Sequence, residues 1–174
     1  LCVIEDSTKS QNLLAVASFQ YPVIYIYNKN HENVSRLVSH TMGISSLKSL
    51  GSSLFSGSLD MNVRIWNVEK GVPEISFNSQ CERIKTFEIG FFLDDCFLFL
   101  ADENVIQCFN ITKKKFLFAM PLIGYVMPKQ MVFLTGKNTD STDYARLVVL
   151  MEFYREAYVP SSKTSDVMLT IEFI

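Results

Sequence analysis

At Tyr27-Asn28, Trp66-Asn67 and Phe109-Asn110 a short apolar run closes on an aromatic residue followed by asparagine. The closing aromatics stand 39 and 43 residues apart. Asn62–Trp66 alternates polar and apolar residues, the period of a half-buried strand, the other two are short apolar runs, and no long helical periodicity appears anywhere. A unit of that length, recurring at a near-constant spacing, buries its apolar faces mainly against its neighbours. The chain is therefore constrained to an all-β array of repeats.

Turn residues divide each repeat further. In the first, Asn12–Ser18 and Val23–Tyr27 read as a hairpin around Gln20-Tyr21-Pro22, with Val34–Val38 as an outer strand. In the second, Ile44–Leu50, Ser53–Ser58, Asn62–Val68 and Glu74–Phe77 give four strands, with Gly51 and Gly71 at turns. In the third, Ile84–Ile89, Cys96–Ala101, Val105–Ile111 and Phe116–Ala119 repeat that order, with Lys113-Lys114-Lys115 at the outer corner. In the fourth, Gln130–Thr135, Arg146–Phe153 and Val167–Phe173 are the strands, separated by two polar loops, 136–143 and 160–166.

The second repeat carries the sharpest signal. Residues 39–67 read SHTMGISSLKSLGSSLFSGSLDMNVRIWN, opening on Ser-His, closing on Trp-Asn and holding Ser-Gly-Ser-Leu-Asp before the last strand. This resembles one repeat of the WD-repeat β-propeller family, whose blades are four-stranded and recur every 40–45 residues or so. The resemblance implies a propeller segment of four-stranded antiparallel blades: about 1–38, 39–80, 81–120 and an incomplete 121–174. It also implies a structural hydrogen-bonded tetrad of His40, Ser56, Asp60 and Trp66, in which Asp60 accepts from the His40 ring and Ser56 links His40 to the Trp66 indole. Ser58, two residues on, faces the same side of the strand and competes with Ser56 for that place. The same nucleophile, base and acid would be present in a catalytic triad, but the resemblance assigns them to holding the blade.

The departures matter as much. Ser39 stands where the family has Gly, and Asn67 where it has Asp. At the turn-acid position the first repeat has Tyr21 and the third Glu103, and neither has a matching His, so only the second is expected to form the full tetrad. In the resembled family, the face bearing the turn between the second and third strands contacts partners, commonly through the residue before the turn acid. That residue is Leu59 here, with Gln20 and Asp102 in the neighbouring repeats and Thr41 beside His40. These four are the expected partner-binding residues, and Leu59 is expected to be exposed.

Composition narrows the function classes. The net charge of −2 gives no bulk attraction to nucleic acid or anionic membrane. Four dispersed cysteines without a C-x-x-C pair, and only two histidines, argue against a zinc site. No Gly-rich phosphate loop, H-E-x-x-H or G-x-S-x-G is present, nor the Phe-Arg-Arg-Gly signature of phosphoinositide-binding propellers. No catalytic residue, cofactor or metal is expected. Asp94-Asp95 and Asp102-Glu103 read as strand-end turn acids, and the Lys113–Lys115 tip as a solvated turn. The chain opens and closes inside strand-like runs, as a piece of a larger protein would. A protein-interaction scaffold in the cytoplasm or nucleus, binding a protein or peptide, is the expectation. The alternative is the propeller region of a ubiquitin-ligase substrate receptor or a kinase, with catalysis outside these residues.

Overall fold

The computed structural model describes residues 1–6, 11–79, 81, 83–122, 126–137, 142–153 and 166–173. It is all β, and its strands form meandering antiparallel sheets. The first sheet is β1 (Cys2–Asp6), β2 (Gln11–Ser18), β3 (Tyr21–Tyr27) and β4 (Asn33–Val38); the second is β5 (Ile44–Leu50), β6 (Ser53–Ser58), β7 (Asn62–Asn67) and β8 (Val72–Asn78). The third is β9 (Thr86–Phe92), β10 (Asp95–Ala101), β11 (Val105–Asn110) and β12 (Lys115–Pro121). The fourth has three strands among the described residues: β13 (Val126–Lys137), β14 (Asp143–Phe153) and β15 (Asp166–Phe173). The chain divides into two compact units, Leu1–Ile84 and Lys85–Ile174.

In the first unit, alternation dictates the core. Ile24 and Ile26 of β3 point inward with Ile4, Ala15 and Leu37, and they pack against Ile44, Leu54, Trp66 and Val68 of the next sheet. Neither sheet could bury its apolar face alone, so the two sheets stack and share one core. At the β5–β6 and β7–β8 turns, Gly51 (φ 55°) and Gly71 (φ 68°) take the left-handed conformation that a residue with Cβ adopts reluctantly. In the second unit, the Phe133 ring lies directly over Gly90, where any Cβ would overlap it. Phe133 also stacks on Phe99 with centroids 5.2 Å apart.

Several edges differ from the sequence expectation. Tyr21 and Pro22 belong to β3, so the first hairpin turns at Phe19–Gln20, with the Ser18 hydroxyl accepting the Gln20 amide at 3.1 Å. Ile84 is buried ahead of β9 rather than within it, and β9 runs on to Phe92. Lys115 opens β12, leaving Ile111–Lys114 as the outer turn. Gly136, Lys137 and Asp143 extend the β13–β14 hairpin; the centre of that expected loop, 138–141, and residues 160–165 of the next lie outside the described residues.

Candidate functional site

The β6–β7 hairpin sets Leu54 opposite Trp66 and Ser56 opposite Arg64. Ser56 and Trp66 are thus diagonal neighbours on one face of the sheet, within reach of a large aromatic. The Trp66 indole N–H donates to Ser56 Oγ at 2.7 Å. Ser56 Oγ lies 2.7 Å from His40 Nε2, and His40 Nδ1 lies 2.8 Å from Asp60 Oδ2. An ionised carboxylate can only accept, so Nδ1 carries the proton and Nε2 accepts from the Ser56 hydroxyl. The His40 and Trp66 rings meet edge to face, 6.0 Å apart. Ser58 is not part of this chain: its hydroxyl contacts the Met42 and Gly43 carbonyls at 3.0 and 2.9 Å and accepts the Asp60 amide at 3.1 Å.

Burial and partners set the charges. Burial is the strongest influence on His40 and holds its pKa below the ordinary value of 6.5, although Asp60 pulls the other way. The ring is neutral at pH 7. For Asp60, burial opposes ionisation, but hydrogen bonds from the Thr41 amide and the His40 ring outweigh it and lower the pKa. The Asp60 carboxylate accepts the Thr41 amide on Oδ2 and the Asn62 amide on Oδ1, each at 3.0 Å. It therefore ties the entry to β5 onto the β6–β7 turn.

A Ser–His–Asp series with these distances would suit acyl transfer, but access decides against it here. Ser56 is fully buried, and its hydroxyl oxygen already accepts from an indole. No substrate carbonyl can reach it in this conformation. What the arrangement does is give the His40 ring nitrogens, the Ser56 hydroxyl and the Trp66 indole N–H their partners and lock one end of the blade. Among the described residues, no group of three or more His, Cys, Asp and Glu side chains is arranged to hold a metal ion. Cys96 and Cys108 are buried and unbridged, and burial pushes their thiols up to about 11 and about 12, which makes them poor nucleophiles.

Above the locked turn lies a surface. Gln20 and Thr41 are exposed and Leu59 is half-buried rather than exposed. The Leu59 backbone is tied down through its amide, which donates to the Gly43 carbonyl at 3.0 Å. Asp102 departs from expectation: it is 3% exposed, and its Oδ1 accepts the Asn104 and Val105 amides at 2.7 and 2.9 Å. It is a turn acid and no contact residue. The cause is a shorter turn. Residues 58–62 separate the paired Gly57 and Val63, whereas only 102–105 separate the paired Ala101 and Ile106, and in this tighter turn Asp102 rather than Glu103 accepts the turn amides.

Sequence reasoning missed the apolar neighbours of these positions. Phe19 and Tyr21 are 59% and 63% exposed, and Met42 and Met61 are 51% and 39% exposed. Gly43 packs directly on the Phe19 carbonyl, so the β2–β3 turn lies beside the entry to β5. Large apolar residues inside tight turns were the signal available for them.

No protein-family model matches this chain, and no curated protein matches it. A solved structure does: U3-55K aligns with a TM-score of 0.54 over 87% of this chain, at 12% sequence identity. The fold is WD40-like. At that identity the likeness is one of fold, and this chain spans 45% of the U3-55K chain. In WD40-like terms, the second sheet is the blade with the His-Ser-Trp-Asp hydrogen-bond chain, and the exposed turns are its β6–β7 side.

Proposed function

We propose that this chain is part of a protein-interaction propeller of the WD-repeat family, binding a partner protein through Phe19, Gln20, Thr41, Met42, Leu59 and Met61. One observation carries the reading: large apolar side chains stand in solvent on turns that the Asp60 carboxylate and the Gly43–Phe19 contact hold in place. Turns are ordinarily polar, and a pre-ordered apolar surface rimmed by polar residues is suited to protein association. The WD40-like fold supports a scaffold role, since its blades offer turns and edges rather than a reaction centre. A cytoplasmic or nuclear setting is part of the proposal, as is a protein rather than a nucleic-acid partner. The Lys113–Lys115 tip adds little attraction for phosphate, because Lys113 is engaged by Asp95 at 2.7 Å.

The test uses this chain as bait for cellular proteins. The Met42→Glu, Met61→Glu double variant should lose the captured partner and keep its unfolding midpoint, because both side chains are exposed. Undiminished capture by that variant would overturn the proposed surface.

A further inference from the structure

Seven methionines are spread along the chain, and burial separates them. Met131 and Met151 are buried, Met120 and Met127 are half-buried, and Met42, Met61 and Met168 are exposed. Met42 and Met61 belong to one turn cluster, and Ser58 joins them. Its hydroxyl donates to the Met42 carbonyl at 3.0 Å, and its carbonyl accepts the Met61 amide at 3.3 Å. The Met61 carbonyl in turn accepts the Ser79 amide at 2.8 Å. The two backbones are thus fixed beside one residue while both side chains stand in solvent. Met61 also has a φ of 65°, the left-handed conformation that glycine or asparagine ordinarily fills. A long apolar side chain is strained there, and packing in the core does not account for it.

We propose, resting on the turn-surface reading above, that Met42 and Met61 form a reversible oxidation site at which a hydroperoxide releases the partner protein. The sulfur lone pair attacks the terminal peroxide oxygen, and the O–O bond breaks as the S–O bond forms. The proton on that oxygen passes to the departing one, which leaves as water or an alcohol. Sulfur is oxidised and the peroxide is reduced. The sulfoxide is polar and accepts hydrogen bonds, so an apolar partner surface that closes over it strands a buried oxygen without a donor. The turn itself is held by the Asp60 carboxylate and by backbone hydrogen bonds, and the oxidation leaves these in place. Methionine sulfoxide reductases reverse the step: a dithiol becomes a disulfide, the oxygen leaves as water and the thioether returns.

The experiment oxidises the purified full chain with hydrogen peroxide, reads each methionine by peptide mass spectrometry, and then uses the chain as bait for cellular proteins. Met42 and Met61 should become sulfoxides while Met131 and Met151 remain thioethers, with the unfolding midpoint unmoved. Recovery of the partner should fall about tenfold or more, the effect of one buried, unpaired polar group. The two reductases, one for each sulfoxide epimer, should restore it. The Met42→Leu, Met61→Leu double variant should capture the partner before and after peroxide, although it keeps the exposed Met168 and the half-buried Cys2 thiol. Loss of capture from that variant on oxidation would place the sensitivity elsewhere and overturn the proposal. Capture lost by Met42→Glu, Met61→Glu but kept by the chain oxidised at both positions would sink the oxidation site alone. Capture kept by both would sink the turn surface with it.

Discussion

Gly43 and Phe19 are in backbone contact: a Cβ on Gly43 would overlap the Phe19 carbonyl. This places the β2–β3 turn of one blade against the entry strand of the next, with glycine as the residue that allows the approach. The exposed methionine at 42 and phenylalanine at 19 are neighbours for that reason.

Gly43→Ala should therefore destabilise the first unit by about 1–3 kcal/mol, the usual cost of forcing atoms into a filled site. Chemical denaturation of the purified chain reads this directly. An unchanged midpoint would mean that the two turns are not in contact.

The buried hydrogen-bond chain makes a second prediction. Ser56→Ala leaves the Trp66 indole N–H and the His40 ring nitrogen without their shared partner, and each such orphaned group costs about 1–3 kcal/mol. His40→Ala and Asp60→Ala should each destabilise as well. Their double mutant should cost less than the sum by about 0.5–3 kcal/mol, since both changes break one network. Strict additivity in a double-mutant cycle would separate the two residues.

Acid should loosen the same end of the blade. The folded His40 has a pKa below 6.5, so on acidification the unfolded chain takes up its proton first. The stability contributed by neutral His40 is fully present above about 6.5 and is lost as the pH falls from there through the folded value. Asp60, held below its ordinary 3.8, contributes stability that is present above that value and lost as the pH falls through its folded pKa. Unfolding midpoints from pH 7.5 to 5 should fall more steeply for the native chain than for His40→Gln. Parallel curves would contradict the lowered pKa.

Much of this fold was legible because β structure leaves a local mark. The apolar run Val23–Tyr27, the alternation in Asn62–Trp66, and the glycines at 51 and 71 locate strands and turns without any tertiary information. The His40–Ser56–Asp60–Trp66 arrangement was legible only through a family resemblance, since the residues span 27 positions and no spacing rule alone brings them together. What stayed hidden has physical causes. The β9–β10 turn has Leu93 at φ 53° where the preceding repeat has Gly51, so although Asp94-Asp95 marked a turn, nothing in the sequence showed that β9 runs on to Phe92. The third repeat has a turn one residue shorter before β11, and there Asp102 rather than Glu103 accepts the turn amides, which withdraws its carboxylate from the surface. Leu59 lies in a turn by sequence, yet its backbone bond to Gly43 draws it half into the protein.

The central claim is that the turns beside the His40–Asp60 lock form the face that meets a partner protein. A photo-crosslinking amino acid placed singly at Thr41, Gln20 or Arg36, three exposed positions, tests it most directly. Thr41 and Gln20 belong to the proposed face, and Arg36 lies on the outer strand β4. The account predicts that the same partner protein is trapped from Thr41 and from Gln20 and not from Arg36. Trapping from Arg36 alone, with none from Thr41 or Gln20, would contradict it.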